Sequence, residues 1–341
     1  MIVKTLILTT PGQFSQADTD FDRTVQAHEV LLKIHRIGIC GTDYHAYRGK
    51  QPFFSYPRIL GHELGAEVVE IGSEVTNVAI GDKVAVEPYL NCGVCQPCRN
   101  GKTNCCEKLQ VLGVHTDGGM REFLKVPTRK VYASKTLSYE QLALVETLGI
   151  GSHAVNRAQV QAHDLVLVIG AGPIGLSVAQ FAKLKGATVV VMDMNASRLA
   201  FCQQQLGVDA TVLLQNTDPV EEIRKGLNGD LPTVVFDATG NSSSMMQAFK
   251  LVAHGGRLTF VGLFQGDITF NDPEFHRREV TLLASRNALP EDFIGIIKGM
   301  EDGAINTQPW ISHRVAFDDL LTSFENLLQP ESNVIKAVIE L

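Results

Sequence analysis

The stretch Asp164-Leu-Val-Leu-Val-Ile-Gly170-Ala-Gly172-Pro-Ile-Gly175 decides the fold of a large part of this chain. Its first half is an apolar run of strand length, and its glycines follow the spacing G-x-G-x-x-G. Residues 176–186 have the pattern of a helix that is closed by a glycine. A strand, a glycine turn and a helix in this order predict a turn whose backbone N–H groups approach a pyrophosphate. The candidate cofactor-binding residues of the turn are Gly170, Gly172, Pro173, Ile174 and Gly175.

The next predicted strand, residues 187–192, ends at Asp193. A carboxylate about twenty residues beyond the glycines accepts hydrogen bonds from the ribose hydroxyls of a dinucleotide. Because its charge repels a 2′-phosphate, Asp193 favours NAD over NADP. Arg198 lies close by in sequence and is a candidate to stack on the adenine, with a solvated helix face as the alternative interpretation.

Strands and helices alternate beyond this point, which predicts a doubly wound parallel sheet. Residues 1–150 instead contain short apolar runs of period two between polar turns, which is typical of a mostly-β region. A length of 341 residues also favours two domains. We therefore expect an α/β protein with one domain over 1–150 and 286–341 and a second over 151–285.

Composition excludes several classes of protein. A formal charge of −7 argues against a nucleic-acid surface, which needs a basic patch. The chain has no apolar run of the roughly 18 residues that a membrane span needs. The first ten residues lack a signal-peptide cleavage pattern and are interpreted as a strand. We expect a cytoplasmic protein, and its seven cysteines, five of them clustered, point to metal binding and not to disulfides.

Five cysteines lie within residues 92–106. Three follow C-x2-C-x2-C and a fourth lies eight residues further on, a spacing that can wrap one tetrahedral ion. Bacterial iron–sulfur sequences share the first spacing, but Glu107 stands where a ferredoxin has proline after its last cysteine. The pattern favours a closed zinc site formed by four thiolates, with a structural role.

A second candidate metal site is the stretch Gly38-Ile-Cys-Gly-Thr-Asp-Tyr-His45, continued by Gly61-His-Glu63. Cys40, His62 and a carboxylate would give zinc three protein ligands and leave the fourth position open. A metal with an open position acts as a Lewis acid on an alcohol or carbonyl oxygen. The alternative is that Cys40 is a small buried apolar residue and His62 a hydrogen-bonded core histidine.

These motifs together resemble the zinc-dependent medium-chain alcohol and polyol dehydrogenases. The resemblance implies a GroES-like catalytic domain and a Rossmann domain for NAD, with one catalytic and one structural zinc per chain. It implies that Thr42 receives the proton of the substrate hydroxyl and that His45 passes it to solvent. The implied zinc ligands are Cys40 and His62 in the catalytic site, and Cys92, Cys95, Cys98 and Cys106 in the structural site.

The third ligand of the catalytic zinc is left open by the sequence. The pattern E-x-L-x-x-x-x-H-A, from Glu146 to Ala154, resembles the sorbitol dehydrogenase branch, in which this carboxylate stands at the metal. Thr147 occupies a position where that branch usually has proline. Glu63 and Glu146 are therefore alternative candidates for the third ligand.

Three stretches, residues 49–60, 271–276 and 285–293, are similar to the bacterial sugar-acid branch, the L-galactonate and L-gulonate 5-dehydrogenases. The resemblance implies oxidation of a hexonate at a secondary hydroxyl. A hexonate carries a carboxylate, so we expect a cation in the pocket, with Arg286 as the first candidate. Arg48 and Lys50 are further candidates, and the loop that follows them, up to Pro57, is either a wall of the substrate pocket or a packed surface loop.

The alternative functions are a neutral polyol dehydrogenase and, after it, an L-threonine dehydrogenase. A zinc-binding regulatory protein that has lost catalysis is a different class, and the complete set of candidate catalytic residues argues against it. The expected partners are a small sugar acid or polyol and further copies of this chain, as a homodimer or homotetramer, without nucleic acid or membrane.

The acidic residue at the end of the second predicted strand generates a prediction about cofactor choice. Asp193→Ser removes the charge that repels a 2′-phosphate, so the preference for NAD over NADP should narrow. Measuring kcat/KM with both cofactors tests this in the wild type and the variant. A wild-type protein that uses NADP as well as NAD would show that the interpretation of Asp193 is wrong.

Overall fold

The computed structural model describes residues 1–52, 54–215 and 218–341. These residues form two compact units, Met1–Glu146 with Leu289–Leu341, and Thr147–Ala288. Helices and strands occur in both units, and the second contains a parallel sheet, so the predicted two-domain α/β class is confirmed. The assignment of one domain to zinc catalysis and of the other to NAD, with its boundaries, stays a prediction at this point.

The strands are numbered here in chain order. They are β1 Ile2–Thr10, β2 Gln13–Asp20, β3 Glu29–Ile39, β4 Glu63–Ile71, β5 Lys83–Val86, β6 Tyr89–Leu90, β7 Gln110–Val111, β8 Phe123–Pro127, β9 Val131–Ser134, β10 Leu165–Ile169, β11 Thr188–Asp193, β12 Ala210–Leu213, β13 Val234–Asp237, β14 Arg257–Phe260, β15 Thr281–Ala284, β16 Ile311–Ala316 and β17 Lys336–Glu340.

The α-helices are numbered in the same way, and a π-helical segment, Cys202–Leu206, continues α6. They are α1 Gly41–Tyr47, α2 Gln96–Arg99, α3 Tyr139–Ala143, α4 Val145–Arg157, α5 Pro173–Leu184, α6 Ala196–Phe201, α7 Pro219–Gly226, α8 Ser242–Leu251, α9 Asp272–Arg277, α10 Pro290–Glu301 and α11 Leu320–Leu327. In the part of the chain that the structure describes, none of the helices has both the length and the apolar character to cross a membrane.

The first unit is built on a sheet in the order β16-β17-β3-β4-β5-β9, and β8 also pairs with β3. β3 is paired on both sides, and its burial explains why most of its eleven residues are apolar. β4 and β17 flank β3 as antiparallel neighbours, with Glu63 opposite Gly38 on one side and Val338 opposite Gly38 on the other. Three segments that are distant in sequence therefore meet at the carboxyl end of β3.

The second unit is a six-stranded parallel sheet in the order β12-β11-β10-β13-β14-β15. Its first strand lies in the middle and the order reverses between β10 and β13, which is the position where such sheets bind ligands. β10 and β11 confirm the predicted strands of the opening stretch and of residues 187–192, and the predicted alternation of strands and helices beyond them is confirmed. β12 and α7 belong to the same alternation but were not predicted individually from the sequence.

The glycine turn has a steric basis. Gly170 has a φ of +99°, and a Cβ on Gly175 would lie 1.7 Å from the carbonyl oxygen of Gly170. Helix α5 therefore starts pressed against the end of β10, with Pro173 in its first turn, where a missing N–H costs nothing. The predicted helix closed by Gly186 is confirmed, although it ends at Leu184.

The segment that leads to Glu146 contains two helices. Ser138 caps the first of them, because its side chain accepts a hydrogen bond from the N–H of Gln141. That helix, α3, ends at Ala143, and a new helix, α4, begins at Val145. Glu146 thus lies in the first turn of a second helix and does not end the face of the first one. In that position a carboxylate is favoured by the helix dipole.

The contact between α4 and α5 generates a prediction about stability. A Cβ on Gly151 would lie 2.1 Å from Ser177 Oγ and 2.5 Å from the backbone nitrogen of Val178. Gly151→Ala should therefore destabilise the protein by about 1–3 kcal/mol through overpacking, measured as the free energy of unfolding in urea. Gly295→Ala is the matched control, because a Cβ at this position in α10 meets nothing within 4 Å. The control should gain about 0.5–1 kcal/mol from its higher helix propensity. Equal effects of the two substitutions would contradict the packing argument.

Candidate metal centres and cofactor turn

Cys40, His62 and Glu63 converge at the end of the β3–β4 ladder. Gly38 and Glu63 are register partners, so Cys40, just beyond β3, faces the residues that precede β4. One ligand atom from each of the three side chains lies within 4.8 Å of the other two. His62 and Glu63 are buried and Cys40 is half-buried. The structure thus brings together three of the four candidate ligands of the catalytic site.

The chemistry of these donors fits zinc, because a thiolate, an imidazole and a carboxylate are its usual protein ligands. Two buried atoms here, His62 Nδ1 and Asp43 Oδ1, have no hydrogen-bond partner among the described residues. They lie 3.7 Å apart, and Asp43 Oδ2 accepts a hydrogen bond of 2.9 Å from the N–H of Cys40. Asp43 therefore holds the backbone of the candidate ligand Cys40 and places a carboxylate oxygen beside the imidazole of His62.

Burial and neighbouring charges act in opposite directions on the pKa values of Asp43 and His62. Burial raises the pKa of the Asp43 carboxyl. Burial would lower the pKa of the His62 imidazole, but the carboxylate of Asp43 and the thiolate of Cys40 raise it well above its ordinary value. Such a cluster of anions without access to water requires cations, and a divalent metal would supply them.

Glu63 has a second partner, the ammonium group of Lys336, which lies at the start of β17 and is buried like Glu63. Lys336 Nζ contacts both carboxylate oxygens of Glu63. Burial would lower the pKa of Lys336, but Glu63 and the neighbouring anions raise it above its ordinary value. The lysine therefore carries a positive charge in the interior beside the candidate metal site.

Glu146 is buried and approaches the same cluster from α4. Its carboxylate accepts a hydrogen bond from the hydroxyl of Tyr89. Burial raises the pKa of Glu146, and the negative charge of Glu63 adds to that effect, while the charge of His62 opposes it. Its ligand atoms do not fall within the 4.8 Å group that contains Glu63. The choice of third ligand is taken up with the proposed function.

Thr42 and His45 both lie on helix α1, which begins directly after Cys40. A separation of three residues places them on one helix face. Thr42 is half-buried and His45 is exposed to solvent. Partial burial lowers the pKa of the His45 imidazole, and the positive charges of Arg48 and Lys50 lower it further. His45 is therefore neutral at pH 7 and able to accept a proton.

The four cysteines of the second candidate site also converge. The sulfur atoms of Cys92, Cys95, Cys98 and Cys106 lie within 4.8 Å of one another. Four sulfurs at 2.3 Å from a tetrahedral zinc would be about 3.8 Å apart, and the Sγ atoms of Cys95 and Cys106 are separated by 3.8 Å. Cys105 is exposed and outside the group.

Backbone N–H groups prepare the cysteine cluster for a cation. Those of Val94 and Cys95 lower the pKa of the Cys92 thiol to about 6, so this thiol is ionised at neutral pH. Cys106 Sγ accepts hydrogen bonds from the backbone nitrogens of Cys92 and Lys108, at 3.3 Å and 3.4 Å respectively. The cluster has the donors and the surroundings of a closed structural zinc site.

A side chain from the body of the first unit supports this cluster. The side-chain amide nitrogen of Asn91 donates a hydrogen bond to Cys98 Sγ at 3.7 Å. Arg129 donates to the side-chain oxygen of Asn91 at 2.7 Å and to its backbone oxygen at 3.0 Å. The guanidinium thereby fixes the residue that touches the thiolate, and it brings a positive charge toward a group of four thiols.

In the second unit, the carboxylate of Asp193 is held at the end of β11. It accepts hydrogen bonds from the N–H of Ala171 at 2.6 Å and from the N–H of Asn195 at 2.8 Å. The first of these places it beside the glycine turn. Arg198 lies over the same turn, with its Nη1 3.9 Å from the position of a Cβ on Gly172. The structure thus brings together the predicted phosphate turn and the predicted ribose residue.

The candidate substrate residues are more dispersed. Arg286 is exposed, follows β15 and belongs to the second unit, whereas Arg48 and Lys50 are exposed residues of the first. In the loop that ends at Pro57, Tyr56 donates to the carbonyl of Ala46 and packs against Phe54, which ties the loop to α1. Phe53, part of the predicted pocket wall, lies outside the described residues. His115 has a structural contact, since its Nδ1 accepts the N–H of Val111.

Sequence reasoning missed several partners of the candidate ligands. Asp43 stood inside the quoted motif but was given no role. Lys336 was not considered, although a single lysine in the apolar run Val334-Ile-Lys-Ala-Val-Ile339 is a sign of a buried charge. Tyr89, Asn91 and Arg129 had no pattern to mark them.

Comparison with known proteins agrees with this geometry. The family described as alcohol dehydrogenase GroES-like domain matches residues 26–136. The family described as zinc-binding dehydrogenase matches residues 173–302. The first range contains both candidate metal centres except Glu146, and the second begins inside the glycine turn, at Pro173.

Similar proteins cover nearly the whole chain. An L-galactonate-5-dehydrogenase of Escherichia coli K12 is 43% identical over 92% of this chain and 92% of that protein. A sorbitol dehydrogenase of Bacillus subtilis 168 is 31% identical over 91% of this chain and 90% of that protein. Among solved structures, an alcohol dehydrogenase of E. coli CFT073 complexed with NADH has a TM-score of 0.92 at 29% identity, covering 100% of this chain and 99% of that chain.

The two centres generate a prediction about metal content. Protein purified without chelator should contain about two zinc ions per chain, one per ligand set. Arg129→Met should release the zinc of the cysteine cluster to a chromogenic chelator about 10–100-fold faster, because supports of this kind change metal affinity by that factor. Arg99→Met is the control, since among the described residues Arg99 donates only to a backbone carbonyl, that of Val94. Fully active protein with a single zinc would contradict the assignment of two centres.

Proposed function

The chain belongs to the zinc-binding alcohol dehydrogenase family, and on that premise we propose that it oxidises a secondary hydroxyl of a sugar acid with NAD as hydride acceptor. The enzyme is a zinc-containing, NAD-dependent dehydrogenase. The observation that carries the substrate proposal is the 43% identity to an L-galactonate-5-dehydrogenase over nearly the full length of both proteins. The proposed substrate class is therefore a hexonate of the L-galactonate or L-gulonate type.

The catalytic zinc would be held by Cys40, His62 and one carboxylate. We propose Glu63 as the direct ligand, because its carboxylate falls within the 4.8 Å group and that of Glu146 does not. Glu146 would then stand beside the metal, held by Tyr89. Bound in this site, zinc supplies a Lewis acid that polarises the oxygen of the substrate. The structural zinc would be held by Cys92, Cys95, Cys98 and Cys106.

The proposed proton path uses helix α1. The hydroxyl of Thr42 accepts the proton of the substrate alcohol and donates its own, as a hydroxyl can do both at once. His45 receives the proton at the solvent side of the helix. Its lowered pKa keeps the imidazole neutral at pH 7, so the acceptor is available. As pH falls through that lowered pKa, His45 becomes protonated and the path is blocked.

NAD would bind at the turn after β10. The backbone of Gly170, Gly172, Pro173, Ile174 and Gly175 would contact the pyrophosphate at the start of α5, where the helix dipole favours an anion. Asp193 would accept the ribose hydroxyls, with Arg198 over the turn. Bound at this turn, NAD would supply the acceptor for the hydride of the carbon that carries the hydroxyl.

A cation is required for an acid substrate. We propose that Arg286 binds the carboxylate, because a guanidinium can donate two parallel hydrogen bonds to it. A second candidate function, dehydrogenation of a neutral polyol, is supported by the 31% identity to a sorbitol dehydrogenase. With such a substrate the same arginine would contact hydroxyl groups.

Self-association and location are further proposals. β15 is the last strand of its sheet and its side chains are largely exposed, including Leu282. An exposed apolar edge strand is a surface that proteins commonly cover, which supports a homodimer or homotetramer that pairs through this edge. A cytoplasmic location stays a prediction from the sequence.

The substrate proposal predicts unequal losses in an arginine variant. Arg286→Ala should lower kcat/KM for L-galactonate and L-gulonate by about ten- to hundredfold, since a charge-assisted contact contributes roughly 1.5–3 kcal/mol. The loss should be smaller for the matching alditols, which carry no charge. Arg277→Ala is a control, because Arg277 is exposed and paired with Glu274 on α9. Equal losses on acid and alditol would show that Arg286 contacts hydroxyls, and turnover of alditols alone would favour the polyol function.

A further inference from the structure

Glu63 reaches its buried partner across a whole strand. Glu63 begins β4, Lys336 begins β17, and β3 lies between these two strands. The side chain crosses β3 directly above Gly38, where a Cβ would lie 2.0 Å from Glu63 Oε2. The glycine therefore leaves the space through which the carboxylate and the ammonium meet.

The same carboxylate is within reach of the metal site. One of its oxygens lies within 4.8 Å of the ligand atoms of Cys40 and His62, while Lys336 contacts both oxygens. A metal ion and an ammonium group are thus placed to share one carboxylate. Each cation draws electron density from the oxygens and weakens the bond to the other.

We propose that Lys336 is a positioning residue that weakens the hold of Glu63 on the catalytic zinc and so keeps Glu63 an exchangeable ligand. This inference rests on the proposed role of Glu63 as a zinc ligand and deepens the account of that site. The partners of a ligating histidine are usually carboxylates or carbonyls, which make that ligand more basic, whereas a ligating carboxylate is itself hydrogen-bonded. An ammonium donor carries a full charge and makes the carboxylate a weaker base toward the metal. A weakly held Glu63 could then yield its place to a substrate oxygen, and its carboxylate would stay beside Lys336, so that the net charge of the site would not change.

A second buried lysine–glutamate pair in the same unit provides the contrast. Lys130 contacts Glu87, and both side chains are buried, but neither belongs to a group of candidate metal ligands. Glu87 also accepts a hydrogen bond of 2.7 Å from Tyr132. Removal of charge from this pair tests the cost of losing a buried ion pair without touching the metal site.

The test is the rate at which the zinc-loaded enzyme transfers its catalytic zinc to an excess of EDTA. Zinc release should have one kinetic phase for each of the two centres. The phase that is missing in Cys40→Ser belongs to the catalytic zinc, because this variant should not hold that ion. Lys336→Met should slow this phase by about tenfold or more, the lower end of the effects known for outer partners of metal ligands. Lys336→Arg keeps the charge and should release zinc at the wild-type rate. If Lys336→Met does not fold, Lys336→Gln carries the same expectation.

Three outcomes separate the possibilities. If Lys336 had only a structural role, its replacement would loosen the metal site and would not slow the release of zinc. Faster or unchanged zinc release in Lys336→Met therefore overturns the inference. The double variant Lys130→Met with Glu87→Gln should leave the phase unchanged, and a slowing equal to that of Lys336→Met would also overturn it. Glu63→Gln should accelerate release, and an unchanged rate there would refute the proposed ligand role of Glu63. The identity of the substrate affects none of these rates.

Discussion

The structure depends on the burial of negative charge at one point of the first unit. Asp43, Glu63 and Glu146 are all at most 5% exposed and lie around the thiol of Cys40. Anions in the interior are stable only when cations or hydrogen-bond donors replace water. Lys336 supplies one fixed positive charge, Tyr89 supplies a hydroxyl donor and His62 supplies an imidazole. The remaining requirement matches a divalent metal, which explains why the donors converge here.

The fold provides this point through the position of one strand. β3 is paired on both sides, so its carboxyl end is enclosed by β4 and β17. The chain therefore has to return after the second unit, since β17 comes from its last residues. Without that return, Glu63 would have no ammonium partner and the end of β3 would be open on one side. The carboxyl-terminal segment contributes to the chemistry of the site as well as to the stability of the sheet.

The two candidate metal centres of the first unit differ in a way that suits their roles. The cysteine cluster is satisfied by four like donors with backbone N–H support, which leaves no position for a substrate. The centre at β3 has mixed donors, a shared carboxylate and more than one carboxylate within the same buried cluster. The closed cysteine centre stabilises the segment around residues 92–106, which has few strands of its own. The mixed centre at β3 permits a change of ligand.

The sequence by itself determined those features that depend on local spacing. The glycines after β10, Asp193 at the end of β11 and the four cysteines each act through neighbours within a few tens of residues. Their physical requirements, a positive φ, a close backbone approach or a short loop around an ion, are therefore visible as patterns. The parallel alternation and the family resemblance follow from the same short-range signals.

Only the tertiary structure decided which distant residues meet. Lys336 and Glu63 are 273 positions apart, and their contact depends on the order of β17, β3 and β4 and on the missing side chain of Gly38. The break between α3 and α4 likewise placed Glu146 in a first helical turn, although its sequence continues an apolar helical pattern. Register across strands and packing between helices are properties of the folded chain, because they arise from segments that no local pattern links.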